Sequence, residues 1–204
     1  MNPDKNKPLE VAVVILNWNG EEYLKRFLPK IIEYSGDVDN CRIIVADNGS
    51  CDDSVTYIKN NFPCVGIIGL EKNFGFSEGY NRALQTIDSK YFVLLNSDVE
   101  VTPCWLMKLY KFMEETPNAA ACMPKLKNYS ERDMFEYAGA AGGHIDMFGY
   151  PFCRGRILNI IEKDQGQYDD IARIFWASGA CMMVRSSLFH KLGGLDGLFF
   201  AHMA

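Results

Sequence analysis

The sequence of 204 residues lacks several features that would assign it to whole classes of protein. It has no excess of positive charge: 21 Lys and Arg against 26 Asp and Glu give a net charge of -5, opposite to that of most nonspecific nucleic-acid binders. No apolar run approaches the roughly 20 residues of a membrane span. The start is polar and punctuated by proline, unlike a secretory signal. We therefore expect a polar tail over residues 1–10, no nucleic-acid partner and no transmembrane segment.

Cysteine and histidine are too few or too scattered for a disulfide scaffold or a zinc site. The 7 cysteines are an odd number and form no CxxC pair. Several lie in apolar runs, where cysteine behaves as a small hydrophobic residue. The 3 histidines are not spaced with the cysteines as zinc ligands. This usage favours a reducing compartment, so we expect a cytoplasmic protein.

Common nucleotide-binding and hydrolase motifs are missing as well. There is no GxxxxGK[ST] loop and no GxSxG, which excludes P-loop NTPases and hydrolases of that type. Residues 73–82 contain two glycines, but Ser77 stands where a GxGxxG fingerprint has its second glycine. The stretch also follows the third predicted strand rather than the first. It still places glycine at a predicted helix start, where backbone can approach a ligand closely.

The first half of the chain alternates between two kinds of apolar pattern. Short continuous apolar runs are typical of strands buried on both faces, and the segments between them repeat apolar residues at helical spacing. Such alternation predicts a mostly parallel sheet covered by helices on both faces, that is, an α/β fold. The predicted strands are residues 11–16, 41–46, 65–70 and 91–95.

The second half is less regular, and we expect it to belong to the same compact domain. Its pattern predicts two helices and two strands around a glycine- and aromatic-rich stretch and a polar mobile loop. These are a helix over 105–115, a strand over 119–123, the glycine-rich stretch 134–150, the loop 157–170, a strand over 175–184 and a helix over 186–192.

Polar clusters follow three of the four predicted strands, at residues 17–20, 47–50 and 96–98. Parallel α/β sheets bind ligands beyond the carboxyl ends of their strands, so three clusters at one edge predict a binding site. Asp98, with Glu100 two residues later, offers carboxylates to a hard cation such as Mg²⁺ or Mn²⁺. Asp98 is equally well explained as a cap of the following segment.

Asp47 and the residues after the first strand have two interpretations each. The Asp47 carboxylate could accept a hydrogen bond from the imide N–H of a pyrimidine, but an Asx-turn is the better explanation from the sequence alone. Asn17, Trp18 and Asn19 could line a base or ribose, or form a plain turn with Trp18 buried as packing.

Three residues of the second half are weaker candidates. The face of Trp176 suits a sugar, although a core tryptophan is the commoner outcome. Asp196 could reach an acceptor hydroxyl or simply follow a helix stop at Gly193 and Gly194. His202 is expected to be structural or incidental.

Six motifs in a fixed order carry a resemblance that no single one of them could. The chain resembles family 2 glycosyltransferases of the GT-A fold, notably the rhamnosyltransferase-like bacterial branch, from about residue 11 to the last residue. The motifs are VVILNWNG, VADNGSCDDS, NFGFSEGYNRAL, YFVLLNSDVEV, WASGACMMVR and GGLDGLFF.

The resemblance implies a GT-A-like three-layer sandwich that transfers a sugar, with inversion, from a nucleoside-diphosphate donor to an acceptor hydroxyl in bacterial glycan or polysaccharide assembly. It implies a Mg or Mn cation, a donor with a pyrimidine base and a glycan or lipid-linked acceptor, and it allows peripheral association of a longer parent with the inner face of the membrane. Residues 11–100 would be the nucleotide-sugar-binding half and 101–204 the acceptor-side half. By motif, the nucleotide-binding residues would be Asn17, Trp18, Asn19, Asp47, Asn81 and Asn96, the metal ligand Asp98, and the acceptor-side residues Trp176, Gly179 and Asp196.

The sequence departs from the family pattern at two points. Asn96 stands where the metal motif has its first acid, which leaves Asp98 as the one firm carboxylate. The acidic pair that supplies the general base is expected beyond Ala204, so we expect a truncated acceptor half that binds nucleotide and transfers sugar poorly or not at all.

Three other functions were weighed against this one. A non-catalytic nucleotide-sugar-binding module or fragment is the main alternative, since it would share every feature up to Asp98. A nucleotidyltransferase would carry a glycine-rich loop with Arg and Lys after the first strand, where this chain has residues 17–20. A purely structural domain is disfavoured by three polar loops at one sheet edge.

Overall fold

The computed structural model describes residues 9–200, with ten strands and five helices in that range. The strands are β1 (Leu9–Asn17), β2 (Cys41–Asp47), β3 (Gly66–Gly69), β4 (Ser89–Asn96), β5 (Ala121–Cys122), β6 (Gly143–Ile145), β7 (Pro151–Cys153), β8 (Arg156–Ile157), β9 (Ile160–Ile161) and β10 (Cys181–Arg185). The helices are α1 (Glu21–Tyr34), α2 (Ser54–Asn61), α3 (Gly75–Leu84), α4 (Trp105–Glu115) and α5 (Ser186–Lys191).

The main sheet has six strands in the order β3-β2-β1-β4-β10-β5. The four strands predicted in the first half pair in parallel, with β1 between β2 and β4 and with β3 on the outer side of β2. β10 runs antiparallel to both β4 and β5. The predicted mostly parallel α/β sheet is therefore confirmed.

Both faces of this sheet are covered, which explains why its strands read as continuous apolar runs. Val11, Val13 and Ile15 of β1 pack with the apolar faces of α1 and α4 and with Ile58 of α2. Ala12 and Val14 point the other way and pack with α3 and α5. The result is the three-layer sandwich that the sequence predicts.

The second half contains a four-stranded sheet, β6-β7-β8-β9, that the sequence does not predict. Residues 157–170, expected to be a mobile loop, contribute to β8 and all of β9. That expectation was wrong because strands of two or three residues carry no readable periodicity. None of the helices in residues 9–200 combines the length and apolarity needed to cross a bilayer.

The strand expected over 175–184 is shorter than predicted, since β10 begins only at Cys181. Before it, Trp176 forms an isolated bridge with Gly143, and the hydroxyl of Ser178 accepts from the amide of Ala180 at 3.3 Å. This local bond competes with sheet pairing. His202 and Ala204, named in the sequence analysis, lie outside the described residues.

Candidate functional site

A cavity of about 860 Å³ opens at the carboxyl ends of β1 and β4. Leu16 of β1 and Asn96 of β4 are register partners and both line it. The chain leaves β1 towards β2 and β3 on one side, whereas β4 lies on the other, so the topology switches between β1 and β4. Open α/β sheets bind ligands at such a switch point.

The far wall of the cavity comes from the second half of the chain. Trp176 and Gly179 line it just before β10, and Asp196 lines it after α5. The Trp176 indole Nε1 donates to the carbonyl of His144 at 3.2 Å, and a Cβ on Gly143 would overlap the indole ring. Glycine at this position therefore lets the indole lie flat against β6.

Five of the predicted site residues line this cavity, and the other five lie elsewhere. The lining residues are Trp18, Asn96, Trp176, Gly179 and Asp196. Those outside the lining are Asn17, Asn19, Asp47, Asn81 and Asp98.

Asn17 and Asp47, register partners on β1 and β2, meet in a buried polar cluster. The Asn17 side-chain amide donates to Asp47 Oδ1 at 3.1 Å and lies 3.1 Å from the hydroxyl of Ser50 and 3.0 Å from that of Ser54. Asn17 is fully buried, and its Oδ1 has no hydrogen-bond partner among residues 9–200. An orphaned acceptor under a strand-end loop is a feature that a donor on a ligand or a water would satisfy.

Asp47 also forms the Asx-turn that its sequence predicts. Its Oδ2 accepts from the backbone amide of Ser50 at 3.2 Å. An ionised carboxylate has about four acceptor positions, so the Asn17 and Ser50 bonds leave capacity for a ligand N–H. The turn and a ligand-binding part are therefore compatible.

Asn19 ties the loop after β1 to the loop after β2. Its backbone amide donates to the hydroxyl of Ser50 at 2.9 Å, and its Oδ1 accepts from the amide of Cys51 at 2.7 Å. Trp18, the residue before it, is 57% exposed, so the alternative that it is buried as packing was wrong. The tied loops hold an open indole at the rim of the sheet.

Asp52 fixes the start of α1 to the same loop and was missed by the sequence analysis. Its carboxylate accepts from the amide of Glu21 at 3.0 Å and from the amide of Ser54 at 3.2 Å. Burial acts to raise the pKa of this carboxyl, but the hydrogen bonds from Ser54 and Glu21 outweigh it and lower the pKa below its ordinary value. The carboxylate stays ionised and holds both loops.

Asn48, a cavity residue that the sequence analysis also missed, connects β2 to the start of α3. Its amide donates to Asn73 Oδ1 and to the carbonyl of Gly75, both at 3.0 Å, and its Oδ1 accepts from the amide of Phe74 at 3.0 Å. Gly75 has a φ of +78°, which glycine adopts without strain. The stretch 73–82 is thus positioned by the side chain of Asn48 and not by a glycine fingerprint of its own.

Asn81 makes a contact that its sequence position did not suggest. Its amide donates to the carbonyl of Leu195 at 2.8 Å, and its Oδ1 accepts from the amide of Leu195 at 2.8 Å. Asn81 therefore anchors the segment that carries Asp196 into the cavity wall. Its part in nucleotide binding stays a prediction.

The two carboxylates considered for a metal differ in their surroundings. Asp98, after β4, is exposed, and no described residue donates a hydrogen bond to it. Glu100 instead forms ion pairs with Lys30 and, at 2.6 Å, with Arg132. The hydrogen bond from Lys30 is the main cause that lowers the pKa of Glu100.

Glu100 is therefore paired with cations of the protein, and its share in a metal site with Asp98 stays a prediction. No group of three potential metal-ligating side chains occurs in residues 9–200. One free carboxylate still fits Mg²⁺ or Mn²⁺, because such ions are commonly held by one or two carboxylates together with substrate phosphates and water.

Comparison with known protein families identifies the family of this chain. The family model described as glycosyl transferase family 2 matches residues 12–193. The chain belongs to glycosyl transferase family 2. This match covers both sheets and all five helices, so the sequence resemblance is confirmed.

Curated family members are similar at low identity. An N-acetylglucosaminyl-diphospho-decaprenol L-rhamnosyltransferase of Mycobacterium tuberculosis is 23% identical over 212 residues, which cover 95% of this chain and 67% of that protein. Rhamnosyltransferase WbbL of Escherichia coli is 22% identical over 200 residues, covering 94% and 72%. A hexosyltransferase of low-salt glycan biosynthesis from Haloferax volcanii, Agl10, is 23% identical over 197 residues, covering 95% and 58%.

Solved structures confirm the GT-A-like fold of this family 2 chain. TarS 1-349 of S. aureus in complex with UDP superposes with a TM-score of 0.64 at 16% identity, covering 91% of this chain and 49% of that one. The mannosyltransferase PcManGT of Pyrobaculum calidifontis, solved with GDP-Man and Mn2+, has a TM-score of 0.62 at 13% identity, covering 94% and 49%. The chain spans about two thirds of the first curated relative and about half of these solved structures.

Proposed function

We propose that this chain is the nucleotide-sugar-binding part of an inverting glycosyltransferase that moves a sugar from a nucleoside-diphosphate donor to an acceptor hydroxyl in bacterial glycan assembly. The observation that carries the proposal is the 860 Å³ cavity at the topological switch of the sheet, whose walls come from both halves of the chain. Residues 11–100 would hold the donor, and residues 101–204 would face the acceptor.

The base and ribose of the donor would bind at the loops after β1 and β2. The exposed indole of Trp18 offers a face for stacking, and the Asp47 carboxylate offers an acceptor for the imide N–H of uracil or thymine. Asn17, with its orphaned Oδ1, and Asn19 hold the two loops together beneath the base. We therefore propose a pyrimidine as the base of the donor.

The diphosphate would extend towards the end of β4, where Asn96 and Asp98 lie. Asp98 is the side chain that would hold a divalent cation, and Asn96 would line the path between cation and cavity. A bound Mg²⁺ or Mn²⁺ would neutralise charge on the departing diphosphate. The chain's own contribution here is one exposed carboxylate, two residues beyond the end of β4.

The sugar and the acceptor would share the cavity next to Trp176, Gly179 and Asp196. Aromatic faces suit the C–H surfaces of sugars, and the absence of a side chain at Gly179 lets the Phe76 ring pack against this wall. A similar protein acts, by its name, on a diphospho-decaprenol substrate, which supports a lipid-linked acceptor. We place the general base in the longer protein, beyond Ala204, and with it any association with the inner face of the membrane.

Isothermal titration calorimetry with UDP, dTDP and GDP, with and without Mn²⁺, tests this proposal. We expect binding of a pyrimidine nucleotide that strengthens with Mn²⁺, and we expect Asp98→Asn to remove the Mn²⁺-dependent part of the affinity. Asp88→Asn is the matched control, because Asp88 is exposed just before the amino end of β4, at the opposite edge of the sheet. Wild-type protein that binds no nucleotide would overturn the proposal.

An activity assay separates transfer from binding alone. A longer parent protein should release UDP or dTDP from the matching nucleotide-sugar in the presence of acceptor, and the 204-residue chain should release it poorly or not at all. Nucleotide binding without turnover in the longer protein would identify a non-catalytic module.

A further inference from the structure

Arg156 is a buried cation that lines the cavity and that the proposed chemistry does not yet use. It lies in β8 of the four-stranded sheet and is only 8% exposed. Ala138, Pro151 and Trp176 line the same cavity. A fully charged guanidinium in such a place is costly unless its charge and its donors are satisfied.

The protein satisfies this guanidinium only in part. One terminal nitrogen donates to the carbonyl of Leu158 at 2.9 Å, and the other lies 3.7 Å from the sulfur of Cys153. The ring of Tyr137 lies 4.4 Å from the guanidinium carbon. The Nε is buried and has no hydrogen-bond partner in residues 9–200. Two of five N–H donors thus have a partner, and one of these partners is a weak acceptor.

No described residue supplies a counter-charge to Arg156. It forms no ion pair within residues 9–200. Burial raises the pKa of the Cys153 thiol, so this neighbour is neutral at neutral pH. The carboxylate of Glu136 is bonded to the backbone amides of Ala138 and Gly139, at 2.8 Å each. An oxyanion from outside the protein would supply the missing charge.

A second arginine in the same hairpin, Arg154, has its charge neutralised within the protein. Arg154 forms an ion pair with Asp170 and lies over the ring of Tyr168. Among the described residues that line the cavity, Arg156 is the one cation and Asp196 the one anion. The acceptor-side wall therefore combines apolar and aromatic surface with one cation and one anion, which form no ion pair with each other.

We propose that Arg156 binds a phosphate group of the acceptor, next to Trp176, and so selects acceptors that carry the sugar on a phosphate. Planar guanidinium groups match phosphate oxygens in pairs and bind them more strongly than neutral donors do. The inference depends on the proposed function in one respect: that the bound phosphate belongs to the acceptor. Arg156 lies in β8, whereas the donor diphosphate is proposed at Asn96 and Asp98 after β4, so different parts of the chain would hold the two phosphate positions.

The test measures the binding of N-acetylglucosamine 1-phosphate and of neutral N-acetylglucosamine by calorimetry, each with and without saturating UDP. Wild-type protein should bind the phosphorylated sugar more tightly than the neutral one, also when UDP fills the donor site. Arg156→Gln should weaken the affinity for the phosphorylated sugar by about tenfold or more, because it removes a charge-assisted contact. The affinities for the neutral sugar and for UDP should change by less than about twofold. Arg156→Lys should restore part of the loss. Arg154→Gln is the matched control and should change neither affinity.

Three results would overturn the inference. Equal binding of the two sugars by the wild-type protein excludes a phosphate subsite without any variant. A loss of UDP affinity in Arg156→Gln equal to the loss for the sugar phosphate would assign Arg156 to the donor diphosphate. A lower melting temperature with unchanged phosphate affinity would make Arg156 purely structural.

The outcome is separable from that of the proposed function. Binding of the phosphorylated sugar without any nucleotide binding would contradict the donor site and keep the subsite. Nucleotide binding without a phosphate preference would do the reverse.

Discussion

The six-stranded and the four-stranded sheet of this chain are stabilised in different ways. In the main sheet, residues such as Val13 and Leu94 are fully buried between two helical layers. The four-stranded sheet leaves Ile157 58% and Ile160 73% exposed at its hairpin turn. Its surroundings are held by a small apolar cluster around Phe135 and Cys153, by ion pairs, and by hydrogen bonds that Glu136 accepts from backbone amides.

Because of this difference, we expect the donor-side wall of the cavity to be more rigid than the acceptor-side wall. The donor-side wall rests on a packed apolar core, whose opening would expose much surface. The acceptor-side wall rests on short strands and polar contacts, which respond to salt, pH and ligand. Substitutions in the two sheets test this contrast.

The largest effect is expected in the main sheet. Phe92, fully buried in β4, packs edge-on against Phe189 with ring centroids 5.8 Å apart. Phe92→Ala should lower the free energy of unfolding by about 3–5 kcal/mol, because it leaves a cavity in the core. Ile160→Ala, at an exposed turn of the second sheet, should change it by less than about 0.5 kcal/mol. Equilibrium urea unfolding measures both, and similar losses would refute the contrast.

A smaller effect is expected where the second sheet meets the cavity. Gly143→Ala should destabilise the protein by about 3 kcal/mol, because its Cβ would overlap the Trp176 indole and displace it. Tryptophan fluorescence should shift in the folded state. Gly69→Ala serves as control, since a Cβ there meets open space. Unchanged fluorescence in Gly143→Ala would mean that Trp176 is not held by β6.

The anchor of the segment after α5 should contribute less. Asn81→Ala removes two hydrogen bonds to the partly exposed backbone of Leu195 and should cost about 1 kcal/mol. Limited proteolysis should cut after α5 faster than in the wild type. Asn61→Ala, at an exposed helix end, is the control. If Asn81→Ala abolished UDP binding with unchanged proteolysis, the nucleotide interpretation of Asn81 would replace the anchor.

The smallest effect concerns the ion pairs of Asp164, in the second half of the chain, and depends on pH. The hydrogen bond from Lys125, with help from Lys127, lowers the pKa of Asp164 to about 2. The folded value lies below the unfolded one of about 3.9, so the pairs stabilise the fold above that pH and lose this effect as the pH falls towards about 2. Asp164→Asn should cost at most about 1 kcal/mol at pH 7 and nothing near pH 2.

Melting temperatures across this range, with Asp88→Asn as control, check the prediction. A deficit of Asp164→Asn that stays constant down to pH 2 would show that the ion pairs do not cause it.

The same contrast explains how much could be predicted from the sequence. Strands such as residues 11–16 were predictable because burial on both faces leaves a continuous apolar run. The short strands β8 and β9 were not, because tertiary pairing rather than local pattern forms them. The start of the predicted strand 175–184 was wrong because a local hydrogen bond at Ser178 competes with sheet pairing there.

The site was predictable where strand ends supply it and unpredictable where contacts between distant residues decide. Trp18 and Asn96 line the cavity, whereas Asn17, Asp47 and Asp98, which also lie at strand ends, do not. Asn48 and Arg156 were missed, since one looks like a turn residue and the other like a surface cation. Only the hydrogen bonds of Asn48 and the burial of Arg156 distinguish them from ordinary turn and surface residues.

A crystal structure of the chain with UDP and Mn²⁺ tests the central claim most directly. The account predicts the base beside Trp18 and Asp47, the diphosphate at Asp98 and the adjoining cavity open towards Trp176. Nucleotide bound away from the β1–β4 switch, for example on the exposed turns of the four-stranded sheet, would contradict it.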